Sequence, residues 1–261
     1  MGRRSVFWAV GAVTCAGIGA AAWLLHANYP VARAAVEHAA AGGPVPRVSV
    51  LDALRPTPRF GSPPEPGTPA AARVVATLEQ VERTTRATSY QHRTRVDARR
   101  GLYHWDCSGM TAWVLARSAP RARRSLGQGR PVARTFARHI ARAPTDRPRR
   151  GWQRVEHIRD VRPGDVFAWE RPPDFPSNNT GHVGFVMNQP VAVGDGVWAV
   201  RILDSTSYAH QDDTRGEGET GTGRGTMTFL TDGAGHAEAY GWHGTRSYGY
   251  IETPVVFGRV R

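Results

Sequence analysis

The sequence predicts an α+β domain, helices packed on an antiparallel sheet, carried behind an N-terminal transmembrane or signal segment. Three observations lead there. Apolar residues recur at helical spacing through the first half of the domain. Short runs rich in β-branched and aromatic residues, bounded by Gly, Pro and Asp, fill the second half. An uncharged run, SVFWAVGAVTCAGIGAAAWLL from Ser5 to Leu25, opens the chain. Helices first and strands later differ from the alternation that builds a parallel sheet.

Residues 1–25 are expected to be a membrane anchor or signal peptide. The run is about long enough to span a bilayer. The preceding MGRR supplies the positive charge that stays in the cytoplasm and leaves the rest of the chain outside. Ala32-Arg33-Ala34 resembles a cleavage site but lies far from the apolar run, so the length favours an anchor. Residues 26–72, rich in Ala, Pro and Gly, read as a semi-extended linker. Residues 73–261 form the domain. The expected location is extracytoplasmic, membrane-anchored or secreted.

Formal net charge is +12, and all 34 basic residues are Arg. This exclusive use of Arg reads as a composition bias of the whole chain. A basic surface still favours anionic partners. The arginines are scattered, with no DNA-binding module, zinc-finger spacing or aromatic RNA-binding signature, so no nucleic acid is expected. Peptidoglycan or another anionic cell-wall polymer remains, together with the membrane through the N-terminal segment.

Within the domain, RVVATLEQVERTTRA has helical spacing. A second helix runs from Asp106 to about Ala119, with Asp106 as N-cap and Pro120 as stop. Met110, Trp113, Val114 and Arg117 share one side of it. PVARTFARHIARA reads as a third helix with Pro131 in its first turn. Arg162-Pro163-Gly164-Asp165 is a turn, followed by the strand VFAWE. GHVGFVM and VWAVRILD are further strands, joined by the turn QPVAVGDG, with others in GTMTFL, AEAYGWH and YIETPVVFGRV. The segment DSTSYAHQDDTRGEGETGTGRG reads as a solvated loop bordering a cleft. It lacks a P-loop ending. His210, Asp212 and Asp213 have metal-ligand chemistry, but no metal is assigned to them.

Only two cysteines occur, Cys15 in the apolar run and Cys107 in LYHWDCSGM. Beyond that run no intramolecular disulfide can form, so Cys107 is either a well-buried thiol or a reactive one. At the first turn of a helix, free backbone N–H groups and the positive end of the dipole favour a thiolate. The same groups can hold a developing oxyanion. His182 opens GHVGFVM and shares a face with Gly184 and Val186. If that strand pairs with VWAVRILD, Asp204 comes near His182 and can orient its ring.

DCSG at a helix start, then RPGDVFAW, then GHVGFV, in that order, resembles the NlpC/P60 family of papain-like cysteine peptidases. The match covers roughly residues 90–204. The resemblance implies a papain-like fold, Cys107 as nucleophile, His182 as base and no cofactor. In the family the third polar residue, often a His, lies on the following strand. Here Asp204 is chosen and His210 is its rival. A tyrosine upstream of the cysteine belongs near the oxyanion site. Tyr90 and Tyr103 compete for it, and Tyr90 is preferred. Tyr90, Ser108 and His210 complete the expected oxyanion or substrate-binding set. The implied activity is cleavage of peptide or amide bonds in peptidoglycan. The alternatives are a non-catalytic wall-binding module on the same scaffold, or an acyltransferase or lipid amidase.

Overall fold

The computed structural model describes residues 58–247 and 249–261. The apolar segment and most of the linker lie outside them. Among the described residues, no helix is long and apolar enough to cross a membrane.

Helix α1 spans Pro69–Thr84, four residues ahead of the boundary expected at 73. Thr68 caps it by accepting from the Ala71 N–H, and its own hydroxyl donates to the Val260 carbonyl at 2.6 Å. Pro69 suits the first turn, where no N–H is needed. Ala70, Ala71, Val74, Leu78 and Val81 recur on the buried face.

Three short strands follow: β1 (Ala87–Tyr90), β2 (Arg95–Asp97) and β3 (Leu102–Trp105). They form a small separate sheet in the order β1-β3-β2, which the sequence pattern did not reveal. Helix α2 (Cys107–Ser118) leaves β3 after the single residue Asp106. Met110 and Val114 are buried as expected. Arg117 instead lies exposed over the half-buried Trp113 ring, 3.5 Å from its centroid. Pro120 ends α2 and also opens a further short helix, α3 (Pro120–Ser125). Helix α4 is Ala133–Ala141. Its N-cap is Val132, so Pro131 precedes the helix rather than sitting in its first turn.

The remaining strands build one antiparallel sheet: β4 (Trp152–Val155), β5 (Val166–Glu170), β6 (Gly181–Val186), β7 (Val191–Gly194), β8 (Val197–Thr206), β9 (Gly221–Thr231), β10 (Ala237–Gly241), β11 (Ile251–Glu252) and β12 (Val255–Val260). The order is β11-β10-β9-β8-β6-β5-β12-β4, with β7 paired to β8. The protein is therefore α+β with a large antiparallel sheet and few helices. The stretch read as a turn, QPVAVGDG, contains β7. Residues 221–225, assigned by sequence to the solvated loop, are the first half of β9.

Strands β10 and β12 touch although four strands separate them in the order, so the sheet curls. Its inner side encloses Phe167, Val186, Val200, Ile202, Met227, Phe229 and Phe257. Its other side packs Val183, Phe185 and Leu203 against Met110 and Leu115 of α2 and Phe136 and Ile140 of α4. Alternation along β6 and β8 supplies both clusters, odd residues to the helices and even residues to the interior of the curl.

Candidate active site

Cys107 is the first residue of α2 and is 6% exposed. Asp106 caps the helix, accepting from the Gly109 N–H at 2.7 Å and the Ser108 hydroxyl at 2.9 Å. Arg130 also pairs with Asp106, and His92 lies 3.4 Å from the same carboxylate. Burial alone would raise the Asp106 carboxyl. Arg130, the Gly109 N–H and the Ser108 hydroxyl outweigh it and hold the group below its ordinary value. Ser108 is thus turned toward the cap.

Two hydrogen bonds tie this helix start to the large sheet. The Trp105 indole donates to Thr222 at 2.8 Å, and the Ser205 hydroxyl donates to the Trp105 carbonyl at 3.0 Å. Ser205 follows Asp204 on β8. The chain leading into Cys107 is therefore fixed to the strand that carries Asp204.

His182, the second residue of β6, is 7% exposed, and its imidazole feels the negative charge of Cys107. Its Nε2 donates to Oδ2 of Asp204 at 2.7 Å. The pairing of β6 with β8 matches Phe185 with Leu203 and Val186 with Ile202. Continuing that register sets Gly184 opposite Asp204. Gly184 has no room for a side chain: a Cβ there would lie 2.7 Å from the Phe167 ring and 3.0 Å from the Asp204 Cβ. The missing side chain lets the carboxylate reach back to the imidazole.

Asp204 is fully buried, and three cations or donors converge on it. His182 and His210 both donate to Oδ2, at 2.7 and 2.8 Å. Arg215 donates to Oδ1 at 3.1 Å. Burial opposes its charge, yet His210, Arg215 and His182 together keep the carboxyl well below the usual range. For His182, burial again disfavours the charged form. The negative charge of Cys107 and the Asp204 hydrogen bond overcome it, and the imidazole is raised to about 9. An imidazole near a thiol and held by a carboxylate can carry a proton between nucleophile and leaving group.

The rivals Asp204 and His210 are brought together rather than separated. Asp204 touches His182, and the wholly buried His210 side chain touches the same carboxylate oxygen, Oδ2. The remaining ring nitrogen of His210 donates to the Trp242 carbonyl at 3.0 Å. Tyr90 and Tyr103 differ clearly. Tyr103 is core, its hydroxyl 3.0 Å from Thr84. Tyr90 feels the charges of Cys107, Asp106 and Asp204, which add to burial in raising its phenol.

The segment 207–220 is not a solvated loop throughout. His210, Gln211 and Arg215 are buried, and Arg215 grips Asp213 as well as Asp204. It lies on β9, where a Cβ at Gly223 would come within 2.3 Å of Arg215 and one at Gly225 within 2.5 Å of His210. The alternating glycines of GTGRG were the sequence signal for this close approach. Trp242, just past β10, was also missed. Its ring lies 5.1 Å from His182 and 4.4 Å from His210, covering both imidazoles. Among the described residues, no group of three His, Cys, Asp or Glu side chains is arranged to hold a metal ion.

No protein-family model matches this chain, and no solved structure matches it. It is similar to an uncharacterized protein of Acanthamoeba polyphaga mimivirus, 24% identical over 180 residues, covering 59% of this chain and 77% of the relative.

Proposed function

We propose that the protein is an exported thiol hydrolase with a papain-like, NlpC/P60-type catalytic domain, cleaving peptide or amide bonds in cell-wall peptidoglycan. The observation that carries this reading is the buried His182–Asp204 pair under the electrostatic influence of Cys107, with Cys107 at the start of a capped helix. The ordered DCSG, RPGD and GHVG motifs support the family.

The Cys107 sulfur attacks the substrate carbonyl, and the N–H groups of Cys107 and Ser108 at the helix start stabilise the oxyanion. Asp106 engages Gly109, the next N–H along, and among the described residues no hydrogen bond occupies the N–H of Cys107 or Ser108. Collapse of the tetrahedral intermediate breaks the C–N bond, and His182 gives its proton to the leaving amine. Water then attacks the thioester, His182 takes its proton, and the carboxylic acid leaves with Cys107 regenerated. Asp204 holds the ring without taking the proton. Tyr90 lies within reach of the charge of Cys107.

Mass spectrometry of purified peptidoglycan after incubation tests this. The wild-type protein should release peptides with new termini, and Cys107→Ala should release none. Binding to the wall with identical digests from both proteins would favour the non-catalytic module. Acyl products on added amines or lipids without hydrolysis would favour the acyltransferase.

A further inference from the structure

A second concavity, of about 630 Å³, opens between α4 and the turn before β4, and none of the residues that line it belongs to the Cys107 site. That volume falls within the range of ligand pockets, roughly 300–1,000 Å³. Five arginines line it: Arg134, Arg138 and Arg142 from α4 and its C-cap, and Arg149 and Arg150 from the turn. Only Arg138 is neutralised, by Glu170 at 2.9 Å. Among the described residues, the other four guanidinium groups make no side-chain hydrogen bond or ion pair. His139 stands between them, and burial together with the charges of Arg150 and Arg142 holds its ring below the ordinary value. The cavity thus concentrates uncompensated positive charge.

The charge is also ordered. Positions 134, 138 and 142 recur every four residues on one side of the helix, about 6 Å apart along its axis. On the opposite wall, Arg149 and Trp152 exchange backbone hydrogen bonds of 2.8 and 3.0 Å across a two-residue turn. Arg150 adopts φ +52° there, a left-handed conformation rare outside glycine. The tight turn fixes the backbone from which Arg149 and Arg150 emerge.

Guanidinium forks match the paired oxygens of phosphate, and a ladder of them matches a linear polyanion. Single-stranded nucleic acid also offers bases that bind by stacking on aromatic faces. The lining has none, since its one aromatic ring, His139, is half-buried and packs edge-on against the buried Trp152. We propose that this cavity is a binding site for a polyol-phosphate polymer, a linear phosphodiester chain without aromatic bases. It would hold the protein on an anionic wall polymer independently of the chemistry at Cys107.

Binding of a fluorescent oligo(glycerol phosphate) to the full-length protein, followed by anisotropy, tests this. Affinity should fall steeply with salt, and Arg142→Gln with Arg149→Gln should weaken it at least about tenfold. Arg150→Gly, which relieves the left-handed backbone while removing a guanidinium, should weaken it too, so misfolding is not the cause. A control pair, Arg83→Gln with Arg99→Gln, removes equal charge elsewhere and should change affinity less than about threefold. The proposal is overturned if the cavity variants bind like wild type, if the control pair loses as much, or if an oligothymidylate of equal charge binds as tightly. Binding is read on the Cys107→Ala protein as well, so failure here and failure of the hydrolase reading are separate results.

Discussion

Arg215 holds Asp204 from the side opposite His182: its Nη2 stands 3.1 Å from Oδ1, and both side chains are out of water. The same guanidinium binds Asp213 at 2.6 Å. Two carboxylates therefore share one buried cation beneath the candidate catalytic histidine. Replacing Arg215 by Met keeps much of the packing and removes the charge. The stranded carboxylates should cost about 3–5 kcal/mol, read by urea denaturation. Turnover should fall with it, because Asp204 loses one of its three supports. A stability loss under about 1 kcal/mol would contradict the role given to this pair.

The charge on His182 sets a pH limit. Its imidazole is raised to about 9, above an ordinary value near 6.5, so it keeps its proton through neutral pH and loses it as pH rises through about 9. Loss of the proton removes the acid that serves the leaving group. Turnover should therefore decline on the alkaline side near that pH. Imidazole nitrogen shifts followed by NMR should titrate there in the wild type and at lower pH in Cys107→Ser, which removes the favourable negative charge. Titration unchanged by that substitution would separate His182 from the sulfur.

Gly184 is a tight point of the site, between Phe167 and Asp204. Its replacement by Ala drives a methyl group against the Phe167 ring and the Asp204 Cβ. Overpacking of this kind costs about 1–3 kcal/mol. Activity should drop by more than the stability loss implies, since displaced Asp204 no longer reaches His182. Full activity in a folded Gly184→Ala protein would show that the Asp204 position is not critical.

Asp204 and His210 separate by substitution. Asp204→Asn should lower kcat by about 10³–10⁴, with KM changed much less, because it removes the charge that stabilises the imidazolium. His210→Gln leaves Asp204 with two partners and should lower kcat less. A dead His210→Gln beside a near-normal Asp204→Asn would reverse the assignment.

The sequence made the helix start at Cys107 legible because Asp106 is a strong cap placed directly before an apolar helical run. It also made strands β5, β6 and β8 legible, and from their order the meeting of His182 with Asp204. Those signals are local or follow from adjacent antiparallel pairing. The small sheet β1–β3 was not legible, since its strands are three or four residues long and its parallel pairing is non-local. Arg215 and His210 were missed as buried partners because a polar, Gly-rich segment normally stays in water. Here Asp204 and Asp213 neutralise Arg215, and the glycines of β9 clear the space. Arg130 reaches Asp106 across 24 residues, and no sequence spacing announces such a contact.

The account rests on His182 activating Cys107. The most direct test is the rate of alkylation of Cys107 by iodoacetamide at neutral pH, measured by peptide mass mapping in the wild type and in His182→Ala. It requires no knowledge of the substrate. The account predicts alkylation at least about tenfold faster in the wild type, because the imidazolium partner is what makes the sulfur reactive. Equal rates in the two proteins would contradict it.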